Sequence, residues 1–443
     1  DLFMRRVEEG GIWSLFDPKE CPEFPDLYGA AFEKAYLKAE SEGRFSKQID
    51  ARTLYAKMMK TLAETGNGWI NFKDASNQKC NQTKDSKNVV HLSNLCTEIL
   101  EITSEEETAV CNLGSINLAK HVQKEAFDFE KLKKTVRSAV RYLDRVIDKN
   151  YYPVEIAKSS NQRWRPVGLG IMGLQDVFFK LGLPYDSKEA LELSSRIQED
   201  IYYEALFTSS LLAEENGPHL AFKETRASEG KLQFDLWGVT PGDPARWDVL
   251  KKRIQRVGLR NSLLIAIAPT ATIASIVGSY EAMEPQVSNL FKRETLSGEF
   301  LQVNKYLVEA LKLEGLWTKE IKDRLVSSEG SIQEIPEIPE RIRKTYRTAW
   351  ELSMKSLIDL AAGRGPFIDQ SQSLNLFIES PTIGKVSSMY MYAWKKGIKT
   401  TYYLRSRAAT RIQKTTVHSQ KKFDATEAVV CSLENPEACE ACQ

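Results

Sequence analysis

Apolar positions along the chain recur at two spacings, which divide it into helices and short strands. Leu54, Met58, Met59 and Leu62 follow a helical period that stops at Gly66-Asn67-Gly68. Residues 71–90 are polar and rich in Asn, Lys and Gln, as a loop is. Short segments follow from His91 to Leu118. Asp128 then offers an N-cap to a helix whose stripe is Leu132, Val136, Ala139, Val140, Leu143, Val146 and Ile147, closed at Lys149-Asn150. After Pro184, Asp186 and Glu189 stand at capping-box spacing. They open a longer helix striped by Leu193, Ile197, Ile201, Ala205 and Leu212 and stopped by Gly217-Pro218.

Residues 220–260 read as looser, with a turn at Pro241-Gly242-Asp243-Pro244. Leu263 to Ala268 is the strongest strand-like run and ends at Pro269. Helical segments are predicted over about 302–325 and 338–362, and a strand-helix-strand pattern runs from Phe367 to Tyr403. Beyond about residue 405 the composition turns polar and basic, then acidic with cysteine, which predicts a flexible tail over 405–443. Helices alternating with short apolar strands indicate an α/β fold, and no internal repeat is visible.

Composition narrows the class. A chain of 443 residues allows one large α/β domain or two ordinary ones. Lys plus Arg number 61 against 60 Asp plus Glu, so nothing draws the chain toward a nucleic acid polymer or a membrane surface. No apolar run reaches bilayer-spanning length, and residues 1–20 lack a secretory signal. The seven cysteines, Cys21, Cys80, Cys96, Cys111, Cys431, Cys439 and Cys442, are odd in number and sparse. That argues for a reducing cytoplasm rather than a secreted disulfide scaffold. The opening DLFMRRVEEGGIWSLF reads as the middle of a folded region, so a substantial part of the natural protein is expected to precede it or to be supplied separately.

The most informative stretch is Asn94-Leu95-Cys96-Thr97-Glu98. If it is extended, side chains alternate, and Asn94, Cys96 and Glu98 share one face. That face offers an amide to orient a hydroxyl, a thiol, and a carboxylate to act as base. A carboxylate beside the thiol disfavours a thiolate, which suits a thiol that loses a hydrogen atom rather than an ordinary nucleophile. The alternative is a half-buried strand with a core cysteine.

Three other features carry candidate chemistry. Pro269-Thr270-Ala271-Thr272-Ile273-Ala274-Ser275 follows a strand-like run and could open a helix, whose first N–H groups suit an anion. A capped helix without ligand is the alternative. Tyr402 and Tyr403 are adjacent on a strand, which by itself means one buried and one partly exposed ring. The Cys439-Glu440-Ala441-Cys442 pair on a tail can exchange a disulfide with a buried site and then with an external reductant. A zinc clip using Cys431 and His418 is the rival there. Gly168-Leu169-Gly170-Ile171-Met172-Gly173 matches GxGxxG, but the preceding SSNQRWRPV is polar and Pro-broken, so a dinucleotide site is rejected.

SNLCTEI followed by AVCNLGSINLAKHV resembles the active-site region of the large subunit of class I ribonucleotide reductase. The resemblance continues in order through RPVGLGIMGLQD, APTATIASIVGSYEAMEPQVSNLFKRETLSGEF and GPFIDQSQSLNLFI to GIKTTYYLRSRAAT. It implies the C-terminal portion of a ten-stranded α/β barrel with a central finger loop over 1–404, and a redox tail over 405–443. It implies a thiyl radical at Cys96, a base at Glu98, substrate hydroxyls held by Asn94, and Cys111 as one of two reducing cysteines. The second reducing cysteine is expected on an early barrel strand outside this chain, while Cys21 and Cys80 are expected to be structural. By the same resemblance Thr270, Ala271, Thr272 and Ile273 hold a diphosphate. Tyr403 and Tyr402 relay the radical, and Cys439 and Cys442 re-reduce the site.

Implied partners are the N-terminal portion of the large subunit, cut or separately encoded, a dimetal small subunit that supplies the radical, and thioredoxin or glutaredoxin. No metal or cofactor is expected on this chain itself, and the substrate is expected to be a ribonucleoside diphosphate. A non-catalytic remnant, a cobalamin-dependent reductase and a thioredoxin-like redox protein are the competing readings.

Overall fold

The computed structural model describes residues 1–110, 112–295, 298–407 and 429, without the side chains of 292–301. Its centre is a ribbon of short parallel strands. Leu113–Asn117 pairs in parallel with Gly168–Met172, Leu113 opposite Gly168 and Asn117 opposite Met172. Leu169 bridges in parallel to Ile265, and Ile267 to Gln372. Leu376–Ile378 lies parallel to Leu404–Ser406, and Asn71 closes the far side as an antiparallel bridge to Thr400. The ribbon therefore runs 113–117, 168–172, 263–268, 370–378, 400–406, then 70–71; the predicted strand at 263–268 is present as an extended segment that joins its neighbours through single bridges at Ile265 and Ile267. Helices join these strands and cover them, notably Phe129–Lys149, Lys188–Asn216, Met354–Arg364 and Ile383–Lys395.

Burial explains the sequence pattern. All five residues of Gly168–Met172 are buried, and Leu263 to Ile267 are at most 1% exposed. Strands covered on both faces read as continuous apolar runs rather than alternations. The glycines that imitate a nucleotide fingerprint have a packing role: a Cβ at Gly170 would stand 2.6 Å from the Ala266 carbonyl oxygen. Gly173, at φ +76°, starts the Leu174–Leu181 helix.

Most predicted elements are present. Asp128 caps Phe129–Lys149 by accepting from the Lys131 N–H at 2.9 Å. Ala51–Thr65 ends at Gly66, φ +65°, although its buried face is Tyr55, Ala56, Met59 and Leu62 while Met58 is exposed. The strand-helix-strand unit near the C-terminal end is Leu376–Ile378, Ile383–Lys395 and Leu404–Ser406.

Three readings need correction. Ser187, not Asp186, caps Lys188–Asn216, because its hydroxyl reaches the Ala190 N–H at 3.1 Å; Asp186 instead pairs with Arg347 at 2.7 Å. The stretch read as loose contains the helix Pro244–Val257, since Asp243-Pro244 is an N-cap followed by proline at the first helical position. The two long helical segments break into Lys305–Leu313 and Lys319–Ser327, and into Glu340–Thr345 and Met354–Arg364. The ribbon stays open among the described residues, and this overturns none of the readings above, which expected only a portion of the barrel. Leu113–Asn117 pairs there only with Gly168–Met172, and no ring of ten strands is formed.

Candidate active site

The segment carrying Cys96 is not extended. The Thr97 N–H donates to the Asn94 carbonyl at 3.2 Å, and Thr97 itself lies at φ +69°. The chain therefore reverses at Cys96, and strict alternation of Asn94, Cys96 and Glu98 on one face does not hold. A turn brings these residues near one another instead. The Asn94 side-chain oxygen accepts from the Ile99 N–H at 3.1 Å and so closes the turn.

This finger loop is fastened to two ribbon strands. The Glu98 carbonyl accepts from the Ser371 N–H at 2.9 Å, and the Leu100 N–H donates to the Gln370 side chain at 3.2 Å. The Thr400 hydroxyl donates to the Thr97 carbonyl at 2.9 Å. The Ser373 hydroxyl lies 2.5 Å from the Cys96 carbonyl oxygen and 3.1 Å from Glu98 Oε2. Thr97 and Glu98 are buried, Cys96 is half-buried, and Leu95 at the tip is exposed.

The tyrosines reach the thiol. Tyr402 Oη is 3.6 Å from Cys96 Sγ, and the Tyr402 and Tyr403 rings lie 4.1 Å apart, tilted by 39°. Tyr402 is buried and Tyr403 is partly exposed. Burial, with hydrogen bonds to Tyr403 and Cys96, pushes the Tyr402 phenol well above its ordinary pKa, so it stays protonated near neutral pH. The Tyr403 N–H donates to Asn375 Oδ1 at 3.1 Å, which fixes the strand behind the pair.

The segment expected to hold an anion is one strand away. The Ile267 carbonyl accepts from the Ser373 N–H at 2.9 Å, and the strand continues into Thr270 and the helix Ala271–Val277. The Thr270 hydroxyl is buried and accepts from the Ala282 N–H at 2.7 Å, so it is engaged within the protein. Ala271, Thr272 and Ile273 are exposed at the helix start, where N–H groups have no intrahelical acceptor.

Cys111, Cys439 and Cys442 lie outside the described residues, as do Cys431 and His418 of the zinc alternative. The neighbours of Cys111 are anchored: the Val110 N–H donates to Glu101 Oε2 at 3.1 Å, and the Asn112 carbonyl accepts from the Gly168 N–H at 2.9 Å. Cys21 and Cys80 are buried free thiols. No described helix is long and apolar enough to cross a membrane.

Sequence reasoning missed the residues that hold the loop: Gln370, Ser371, Ser373 and Thr400. Asp369 to Ser373 is a run of five polar residues with every side chain buried, an anomaly that exists only once the strands have packed and that no local spacing announces. Buried Lys399 and Asp369 brace the same strands. Lys399 Nζ donates to the carbonyls of Asp369 and Gln370 at 2.9 and 2.7 Å, and the Asp369 carboxyl accepts from the N–H groups of Leu264 and Ile265 at 2.9 and 2.8 Å. Burial lowers the Lys399 pKa and raises that of Asp369.

Residues 1–404 match the family described as ribonucleotide reductase, barrel domain. The chain is 48% identical over 419 residues to the ribonucleoside-diphosphate reductase large subunit of Caenorhabditis elegans, covering 94% of this chain and 53% of that protein. It is 44% identical over 481 residues to the large subunit of Arabidopsis thaliana, covering 100% of this chain and 59% of that protein. Among solved structures, the class Id ribonucleotide reductase alpha subunit of Actinobacillus ureae superposes with a TM-score of 0.66 at 27% identity, over 81% of this chain and 62% of that one. The chain thus spans little more than half the length of these two large subunits. With its polar-lined finger loop, its tyrosine pair and this match along 1–404, the chain belongs to the ribonucleotide reductase large-subunit family, of which it contains barrel-domain sequence.

Proposed function

We propose that this chain carries the radical centre for reducing ribonucleoside diphosphates to 2′-deoxyribonucleotides, for DNA precursor synthesis in the cytoplasm. The single observation that carries the reading is the line from Tyr403 through Tyr402 to Cys96 Sγ, with the two ring centroids 4.1 Å apart and Tyr402 Oη 3.6 Å from the sulfur. An oxidised Tyr402 takes the hydrogen atom of the Cys96 S–H bond as one electron and one proton, which leaves a thiyl radical. The thiyl then removes the ribose 3′-hydrogen and the S–H bond re-forms. Glu98 accepts the 3′-hydroxyl proton. Because the Asn94 oxygen closes the turn, Asn94 presents its Nδ2 as donor to the substrate hydroxyls. The N–H groups of Ala271, Thr272 and Ile273 receive the diphosphate, with Thr270 setting their geometry through Ala282.

The remaining roles depend on residues outside the described set or on partners. Cys111 and a cysteine from the rest of the large subunit supply two electrons and become a disulfide. Cys439 and Cys442, on the segment after the 1–404 barrel portion, reduce that disulfide and are recharged by thioredoxin or glutaredoxin. A dimetal small subunit supplies the radical to Tyr403. The missing strands come from the N-terminal portion of the large subunit, which completes the ten-stranded barrel around the finger loop.

The test combines this chain with that portion and the small subunit and measures reduction of a ribonucleoside diphosphate with a dithiol. Cys96→Ser should abolish turnover, and Tyr402→Phe should abolish it while substrate affinity stays within twofold. Full activity in Cys96→Ser would sink the reading, and activity that needs cobalamin but no small subunit would replace it.

A further inference from the structure

We propose that Ser373 is a positioning residue for this reaction, its hydroxyl setting the Glu98 carboxylate against the Cys96 thiol. The inference rests on the roles of Cys96 and Glu98 given above. The two residues sit on either side of the turn at Thr97, and a turn alone does not fix how their side chains face each other. Ser373 is the one described side chain that hydrogen-bonds to both residues, at 2.5 Å to the Cys96 carbonyl and 3.1 Å to Glu98 Oε2. Among the described residues it is also the only side chain that hydrogen-bonds to the Glu98 carboxylate.

Its own position is rigid. The Ser373 N–H is held by the Ile267 carbonyl at 2.9 Å, on the strand that leads to the candidate diphosphate site. Ser373 is 3% exposed, so water cannot simply take the place of a deleted hydroxyl. One hydroxyl carries one proton, so it donates to the Cys96 carbonyl or to Glu98 at a given instant. When Glu98 takes a proton from substrate, the hydroxyl's better acceptor becomes the Cys96 carbonyl. When Glu98 is charged, the carboxylate competes for the donor. Ser373 therefore links the base's charge to the backbone of the thiol residue.

The neighbouring hydroxyl of Thr400 has a different reach. It lies 2.9 Å from the Thr97 carbonyl and 2.7 Å from the Ser371 hydroxyl, so it holds the loop's backbone, and it makes no hydrogen bond to the Glu98 carboxylate. Loop anchoring and carboxylate positioning thus fall on separate side chains, which lets an experiment tell them apart.

The experiment uses the assembled large and small subunits with Ser373→Ala, and Ser373→Thr as the variant that keeps the hydroxyl. The expected result for Ser373→Ala is a loss of about 10- to 100-fold in kcat, the range for a hydrogen bond to a charged group, with KM within twofold. Ser373→Thr should recover at least a third of wild-type kcat. Independently of turnover, alkylation of Cys96 by iodoacetamide, followed by peptide mass mapping, should be several-fold faster in Ser373→Ala. The proposal is overturned if kcat stays within twofold of wild type, if the whole loss falls in KM, or if the Cys96 alkylation rate does not change. An inactive wild-type assembly would instead count against the roles of Cys96 and Glu98, and the alkylation rates would still decide whether Ser373 holds the thiol's turn.

Discussion

Thr97 at φ +69° is the residue on which the finger loop turns, and a non-glycine residue there costs roughly 1 kcal/mol or more. The hydrogen bonds of its N–H to Asn94 and of its carbonyl to Thr400 hold it in place. Four residues further on, Glu101 ends the anchored part of the loop. It is 4% exposed, one carboxyl oxygen receives the Val110 N–H, and burial pushes its pKa up to about 8. Unfolded, a glutamate titrates near about 4.3. Between those values the folded chain binds more protons than the unfolded one, so stability falls as pH rises from about 4.3 to 8. Glu101→Gln keeps the shape and carries no charge. Urea unfolding should show the wild type losing a few kcal/mol relative to that variant between about pH 5 and pH 8; parallel pH profiles for the two proteins would refute this. The types of Cys96, Glu98, Tyr402 and Tyr403 were readable in the sequence as candidate chemistry. Ser373 and Thr400 were not, because a lone hydroxyl gains meaning only from what stands 3 Å away.

At the scale of elements, helices were read best where a cap and an apolar stripe agree, as in Phe129–Lys149. They were misread where two cap residues adjoin, as at Asp186 and Ser187, or where a proline turn is itself a helix start, as at Pro244. The strand Gly168–Met172 shows why its glycines matter. A methyl at Gly170 would meet the Ala266 carbonyl oxygen at 2.6 Å and the Ile267 Cα at 3.1 Å, both backbone atoms that cannot rotate away. Gly170→Ala should therefore push apart the strand pair that leads to Thr270, at a cost of about 1–3 kcal/mol or more. Thermal unfolding should show a clear drop in Tm, and an unchanged Tm would mean that the two strands separate without strain.

At the scale of the molecule, the ribbon has a free edge among the described residues. Leu113–Asn117 is paired on one side only, and Leu113 is 43% exposed, as are Leu92 at 72% and Leu95 at 62% on the finger loop. Unpaired strand edges and bare apolar tips call for a covering partner. If the N-terminal portion proposed above completes the barrel, adding it in trans should slow hydrogen exchange of the 113–117 amides by at least tenfold. It should also give a stable complex by size-exclusion chromatography; unchanged exchange would refute the completion of the barrel by that partner.

The sequence by itself determined the α/β class, the helices with strong caps, and the ordered set of motifs that marks the family, since each of these is written in residues close together along the chain. Only the tertiary structure decided that Cys96 sits on a turn rather than a strand, and that a buried polar run at 369–373 serves as its cradle. The resemblance implied a relay from the tyrosines to Cys96, and the tertiary structure supplied its geometry, with Tyr402 Oη 3.6 Å from a thiol 306 residues away. Local spacing records periodicity and capping, whereas a hydrogen bond between residues hundreds of positions apart leaves no local pattern and exists only once the strands have packed.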